Sequence, residues 1–554
     1  MFLEEMKVYD IEFGDTEGKR EFNNTEKIHN LFFKDSYKRE IDKFIDGRLR
    51  YIYGLKGTGK TSLLKYLENK ALENNIKTSY ISYKDIKEEA DVIHEFRNEL
   101  ATSEDKDTYT LTFWRWYLLS LIGKAFLKES AYDPSNLIYN SKVKFFRVIS
   151  KLLDMISEID LSTEDSKFSL KLPNGNLDVK WDGQTASRIR QLEQNLKTKL
   201  DQKVIIFIDE LEISKLLTTY DVDSVLVKNL IRATRKINEL SENLHIVLAV
   251  RSEVINSISM AGDEINKELE DFGFEIEWHR RKFDITHPLL GMYIQKIRYS
   301  MKKFILDNYQ NGEVDLLIHK LDKMNNSTIW KRWFPPKFSQ VDTPELILQH
   351  TWLRPRDLSR LFKTMQKYSR ENNMINQSSY AEAVKKVGED SLLEIKEELT
   401  SQYNEDIIKS IILILEKMQI IFTKEMFLEE AKKYNITEEK SIEILHNLYK
   451  FSVIGNTFIV HNNNSYNITV RFAYRNDKTL YEDRAIYVHR VIKNALGLTE
   501  FNPDLRIYHF SDEEKKKYYM NYKKNQEPIS NIYDDQEEAL SIKDIFADSS
   551  FRVK

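Results

Sequence analysis

Apolar residues follow two rhythms along this chain. Up to about residue 250, short runs with β-branched and aromatic character (RLRYIYGL, IKTSYISY, KVIIFIDELE, LHIVLAVRSE) alternate with segments whose leucines recur every three to four positions. The first kind predicts buried strands, the second helices packed against them. KDSYKREIDKFID predicts a lead-in helix over 34–46, and TSLLKYLENKALENN a helix between the first two strands, which makes one βαβ unit. The two later strands each end in charged residues, as parallel strands do where active sites gather. From about residue 290 the rhythm becomes helical, interrupted by IWKRWFPPKFSQVDTPELI, whose Pro335, Pro336 and Pro344 rule out a continuous helix. Residues 405–475 then read helix, helix, helix, hairpin, the order of a winged helix.

A chain of 554 residues exceeds what one core supports, so several domains are expected. The pattern divides it into an N-terminal segment with the lead-in helix (1–47), an α/β core (48–290) carrying a mainly helical insertion (86–200), a helical lid domain (291–400), a winged-helix-like domain (401–495) and a polar tail (496–554). Within the insertion, Phe168, Leu170 and Leu172 oppose Leu177, Val179 and Trp181 across Pro173-Asn174-Gly175-Asn176, a hairpin pattern. The tail reads as flexible with a docking segment at ALSIKDIF.

Composition narrows the chemistry. A hydrophobic share of 41% with 31% charged residues fits an ordered globular protein, and a net charge of −4 supplies no global field to recruit DNA or a membrane surface. Cysteine is absent, which removes disulfides, thiolate nucleophiles and Cys-ligated zinc and fits a reducing cytoplasm. The opening MFLEEMKVYD carries acids where a signal peptide carries a basic region, and TLTFWRWYLLSLIGKAFL is interrupted by Arg115 and Lys124, so neither secretion nor a membrane span is expected. The 11 histidines show no paired metal-ligand spacing.

Gly54-Leu55-Lys56-Gly57-Thr58-Gly59-Lys60-Thr61, with Ser62 after it, matches the phosphate-loop pattern, flanked by a strand before and a helix after. The glycines let backbone N–H groups turn toward phosphates, Lys60 reaches the β/γ oxygens, and Thr61 offers a hydroxyl to Mg. At the end of KVIIFIDELE, Asp209 is the acid for the Mg water shell, and Glu210 is the carboxylate that orients and deprotonates the attacking water. That pair favours hydrolysis over phosphoryl transfer. No guanine-reading NKxD is present, which makes ATP the expected nucleotide. Arg251 and Ser252 end a strand expected between the loop strand and the acidic strand, where they can sense the γ-phosphate. Arg356, and after it Arg354, in Trp352-Leu353-Arg354-Pro355-Arg356-Asp357 are lid sensor candidates. Structural ion pairs are the competing reading of all three arginines.

These motifs resemble those of bacterial P-loop ATPases at the border of the AAA+, KAP and STAND groups, over roughly residues 30–370. The resemblance implies a P-loop parallel sheet of the additional-strand, catalytic-Glu type, followed by the helical lid and a winged-helix-like domain. It also implies an oligomeric switch of the kind encoded in mobile or antiviral-defence settings. The pattern departs from the family in one respect: no motif marks a trans-acting arginine finger, and Arg232, Arg235, Arg280 and Arg281 are the candidates.

The expected function is a Mg-dependent ATPase acting as a conformational or oligomerisation switch, with ATP and Mg as cofactors and a second copy or an effector protein as partner. Two alternatives stay open. One is a DNA-engaged ATPase of the initiator or loader type that uses the winged helix, although TEEKSIEILHNLYKF is poor in basic residues. The other is an ATP-binding regulator with little turnover.

Overall fold

All six residues of the run Val204–Asp209 (β3) are buried, as a strand covered on both faces requires. In a computed structural model, this strand lies inside a five-stranded sheet. The structure describes residues 5–15, 37–82, 200–209, 220–252 and 263–498, apart from 281, 339, 401, 463–464 and 476–478, together with Ile255 and scattered positions between 107 and 198. The expected hairpin at 168–181, Glu210 and the tail with ALSIKDIF lie outside the described residues. The chain forms two units, residues 17–277 and residues 1–16 with 278–554.

In the first unit, Lys38–Ile45 (α1) leads into Tyr51–Gly54 (β1), Lys60–Glu73 (α2) and Lys77–Ser82 (β2). After β3 come Tyr220–Asn238 (α3), Leu244–Arg251 (β4), Asp263–Phe272 (α4) and Gly273–Glu275 (β5). The order β2-β3-β4-β1-β5 is parallel at every pairing, so β4 lies between β1 and β3 as expected. Helix α2 buries Leu63, Leu64, Leu67 and Ala71, the stripe its leucine spacing predicts. At the foot of β1 the buried Tyr51 hydroxyl donates to Glu268 of α4 at 3.0 Å. Burial, with the charge of Glu268 beside it, holds the Tyr51 phenol well above the usual tyrosine range.

The second unit is helical at first: Pro288–Asn308 (α5), Asn311–Asp322 (α6) and Asn326–Trp333 (α7). The proline-rich stretch forms a two-stranded ribbon, Lys337–Phe338 (β6) with Val341–Asp342 (β7), before Thr343–Gln349 (α8), Pro355–Tyr368 (α9) and Gln377–Leu399 (α10). Aromatic rings fill its centre: Phe362 has Tyr293, Phe13 and Phe334 at centroid distances of 4.6, 5.1 and 5.6 Å. Phe13 belongs to the opening segment, which packs in this unit rather than with the lead-in helix; Val8 N–H donates to the Asn372 carbonyl at 3.0 Å and Gln366 to the Ile11 carbonyl at 2.6 Å.

Beyond α10 the order is Glu405–Lys417 (α11), Ile421–Phe422 (β8), Lys424–Lys432 (α12), Glu438–Lys450 (α13) and a hairpin of Ile454–Asn462 (β9) with Ser465–Arg471 (β10). Ile486–Val488 (β11) and Arg490–Lys493 (α14) follow. The expected three helices and hairpin are therefore joined by two short strands, and the sheet runs β10-β9-β11-β8. Side-chain oxygens of Asn404, Thr423 and Thr437 accept from the first turns of α11, α12 and α13, so each helix starts at a polar cap. Helix α10 crosses α14 closely enough that a Cβ on Gly388 would lie 2.6 Å from the Val491 carbonyl oxygen.

His245 near the start of β4 ties pH to the first unit. Its ring covers Gly47, where a Cβ would meet His245 Cε1 at 2.1 Å, and its buried Nε2 has no hydrogen-bond partner among the described residues. Burial, and then the charges of Lys203 and Arg50, push its pKa down to about 4. The fold thus prefers neutral His245, and the stability this contributes is full above about pH 6.5. It is lost as the pH falls toward about 4. In urea unfolding followed between pH 7 and pH 4, His245→Phe should lose less stability than wild type over this window, and parallel pH profiles would refute the assignment.

Candidate nucleotide site

β1 ends at Gly54, and the chain turns through residues 55–59 into α2, whose first residue is Lys60. The turn needs left-handed backbone at two places, with Gly57 at φ +85° and Gly59 at φ +100°. Gly54 is required for a different reason: an added Cβ would lie 2.7 Å from Thr58 Oγ1 and 3.1 Å from the Ile276 carbonyl oxygen. Thr58 closes the loop by donating from its hydroxyl to the Leu55 carbonyl at 2.9 Å. Lys60 Nζ reaches back across the loop and donates to the carbonyls of Gly54 and Leu55 at 2.8 and 2.9 Å. Those acceptors are neutral, and a phosphate oxygen is a stronger acceptor for the same ammonium. Thr61 and Ser62 occupy the first turn of α2, where N–H groups without helical partners and the positive helix end favour an anion.

The strand ladder sets the other groups. Gly54 pairs with Arg251, so the last residue of β4 stands level with the first residue of the loop. Arg251 is half-buried, and the following Ser252 Oγ is buried with no hydrogen-bond partner among the described residues. Asp209 ends β3 at 2% exposure, and the Tyr80 hydroxyl of β2 donates to its Oδ2 at 2.6 Å. Sequence reasoning missed Tyr80, because the pairing of β2 with β3 cannot be read from either strand alone. For a metal, the Thr61 hydroxyl and the Asp209 carboxylate form an oxygen-only donor pair, which suits Mg held mainly by phosphates and water. No group of three or more His, Asp or Glu among the described residues is arranged to hold a metal by itself.

The WLRPRD motif forms the turn between α8 and α9. Leu353 sits there at φ +52°, a conformation a bulky residue adopts only when its surroundings impose it. Thr351 Oγ1 accepts from Leu353 N–H at 3.1 Å, and the buried Asp357 accepts from Trp352 N–H at 3.1 Å. Asp357 also binds Arg354 through Nε at 2.9 Å and Nη2 at 3.1 Å. Burial disfavours the Arg354 charge, but Asp357 with Glu398 and Glu394 outweighs it, so the Arg354 pKa lies above its usual value. Arg356 differs. It makes no hydrogen bond or ion pair among the described residues, and burial lowers its pKa with Glu394 opposing in part. Trp352 ties the turn to the region beyond α10, donating from Nε1 to the Ser452 carbonyl at 2.9 Å and stacking on His489 at 4.7 Å. Arg490 Nη1 donates to Gln349 Oε1 at the end of α8.

Of the finger candidates, Arg232 pairs with Asp107 at 3.3 Å, and Arg235 with Glu239 at 3.2 Å and Glu268 at 3.7 Å. They line a cavity of about 260 Å³ between α3 and α4. Because α3 returns from the end of β3 to the start of β4, this cavity lies at the opposite end of the sheet from the phosphate loop. Arg280 is exposed and donates to the His279 carbonyl at 2.7 Å, while Arg281 lies outside the described residues.

The order of strands and the loop between β1 and α2 define a P-loop nucleoside-triphosphatase fold of the additional-strand type, followed by a helical region. Within that region, the model of a family described as a FunZ-associated C-terminal helical domain matches residues 312–396, from α6 into α10. No curated protein sequence matches the chain. Among solved structures, a Walker-type ATPase of Pyrococcus abyssi is similar at 13% identity and TM-score 0.36, covering 84% of this chain and 95% of that one. The Aeropyrum pernix ORC2 protein in ADPNP–ADP complexes gives 9% identity, TM-score 0.28 and coverage of 84% and 94%. Drosophila ORC bound to DNA gives 9%, 0.25, 84% and 85%. Likeness this distant leaves the functional reading to the residues. Among the described residues, no helix is long and apolar enough to cross a membrane.

Gly54→Ala tests the loop. The new methyl displaces Thr58 or the Ile276 backbone, and a misplaced loop should weaken binding of a fluorescent ATP analogue by roughly 10–100-fold. Wild-type affinity in Gly54→Ala would mean that the loop tolerates the displacement.

Proposed function

We propose that the protein is a Mg-dependent ATP hydrolase whose nucleotide state switches its conformation or assembly and thereby controls a partner protein. The observation that carries this reading is the strand ladder: β4 separates β1 from β3, so Gly54, Arg251 and Asp209 end at one edge of the sheet. A Mg ion held by Thr61 and Asp209 would supply positive charge to offset that of the phosphates. The chain's own groups then have distinct roles. Lys60 and the α2 N-terminus hold the phosphates, Thr61 and Asp209 hold the metal and its water, and Glu210 takes the proton from the attacking water. Arg251 and Ser252 register the γ-phosphate; the buried Ser252 hydroxyl, which has no hydrogen-bond partner among the described residues, supports that role.

Lys60→Ala should abolish ATP binding, because the ammonium offsets ground-state phosphate charge. Glu210→Gln should keep binding and lose roughly 10²–10⁴-fold in turnover, because a general base acts only in the transition state. Phosphate release measured with and without EDTA checks both the base and the metal. Full turnover in Glu210→Gln would remove Glu210 from this role, and full turnover in EDTA would remove Mg. Negligible turnover in wild type, with ATP still bound, would favour a regulator that binds without hydrolysing.

For the switch, Arg356 is the residue of choice in the helical unit. Arg354 is already held by Asp357, whereas burial disfavours the Arg356 charge and no acid among the described residues is bonded to it, so an anion there gains the most. The Trp352 contacts give the same turn a mechanical link to Ser452 and His489. DNA as partner is disfavoured by α13, where Glu438, Glu439 and Glu443 are exposed and Lys440 is bound to Glu443 at 2.8 Å. An effector protein or a second copy is the better partner, and a gene neighbour encoding an effector would agree with the defence setting that the family resemblance implies. Arg356→Ala in a Glu210→Gln background should bind ATP yet lose the ATP-induced change in scattering or protease protection seen with Glu210→Gln alone. A normal change in the double variant would move the sensor to Arg251 or Arg354.

A further inference from the structure

We propose that Tyr80 is the positioning residue that fixes the metal-binding acid Asp209, and that Lys65 couples this hold to the phosphate-loop helix. The proposal rests on the nucleotide-hydrolase reading above and adds two residues to it. Asp209 and Tyr80 are both buried, at 2% and 8% exposure, so their 2.6 Å hydrogen bond is shielded from competing water. A buried carboxylate with one oxygen bonded to a phenol is restricted in its orientation. Such outer partners of a metal ligand set both its direction and its affinity for the ion.

The ring of Tyr80 is held in turn from α2. Lys65 Nζ lies 3.4 Å from the ring centroid, and Glu68 one turn further along binds the same ammonium at 2.9 Å. A cation over the face of a phenol draws electron density from the ring and makes its O–H a better donor. Lys65 belongs to the helix whose first two residues are Lys60 and Thr61. The chain Glu68, Lys65, Tyr80, Asp209 thus joins the helix that holds the phosphates to the strand that holds the metal acid. The arrangement makes Asp209 sensitive to how α2 is seated, a property that a solvated aspartate at a strand end lacks.

The test uses the full chain as wild type, Tyr80→Phe and Lys65→Met, with affinity for a fluorescent ATP analogue measured in EDTA and across a Mg titration. Tyr80→Phe keeps the ring and the Lys65 contact and removes only the hydroxyl. The Mg concentration giving half-maximal enhancement of binding should rise roughly tenfold in Tyr80→Phe. It should rise less in Lys65→Met, with affinity in EDTA unchanged in both. A purely structural tyrosine would instead weaken binding equally with and without Mg, and that result overturns the proposal. So does a Tyr80→Phe titration that superimposes on wild type while wild type retains its Mg dependence; that outcome leaves the hydrolase reading standing. Wild type showing no Mg enhancement at all would overturn both.

Discussion

The parallel pairing of β4 between β1 and β3 is the constraint from which the site follows. Parallel strands end on the same side of a sheet, so three segments distant in sequence bring the phosphate loop, Arg251 and Asp209 to that side, with Gly54 level with Arg251 and Asp209 just past the Ile208–Leu248 pair. The loop itself needs only small additions to that frame: two left-handed glycines, a third glycine that makes room for Thr58, and a helix whose free N–H groups face the turn. The chemistry is thus carried by backbone geometry, with a few side chains set on top of it.

What could be read in the sequence, and what could not, divides along the range of the interactions. Strands β1 to β4 and the helix after the loop have apolar periods long enough to identify, and the motif residues come in contiguous runs. The position of β4 was legible as well, because a polar end on an apolar strand suggests its place. By contrast β5, β8 and β11 have two or three residues each, too few to show a period, and all three owe their existence to neighbours found far along the chain. The packing of residues 5–15 with α9 was equally hidden, since it depends on a stack between Phe13 and Phe362 that no local pattern encodes. Tyr80 escaped for the same reason: its meaning comes from strand pairing across more than a hundred residues.

The WLRPRD turn illustrates how a motif's prominent residues differ from the ones that build it. The arginines attract notice in the sequence, yet Asp357 organises the turn, bonding the Trp352 amide and the Arg354 guanidinium together. Leu353 is kept in left-handed backbone by Thr351 and by its own burial. Strain of about 1–3 kcal/mol at such a residue persists only when several contacts impose it. Here those contacts also run through Trp352 to Ser452 and His489, so the shape of the turn and the packing of the region beyond α10 are set jointly.

The same strand order governs how the molecule assembles itself. Tyr51 pairs with Leu248 and with Gly273, about two hundred residues later, and Lys77 with Val204, more than a hundred later, so only β3 and β4 can find each other without closing a long loop. The helical unit, by contrast, is built largely from hairpins of successive helices such as α5 with α6 and α9 with α10. Folding rates fall as contacts become less local. The helices should therefore form early while the apolar strands of the P-loop sheet wait longest for partners, which makes that unit the part most exposed to aggregation during synthesis.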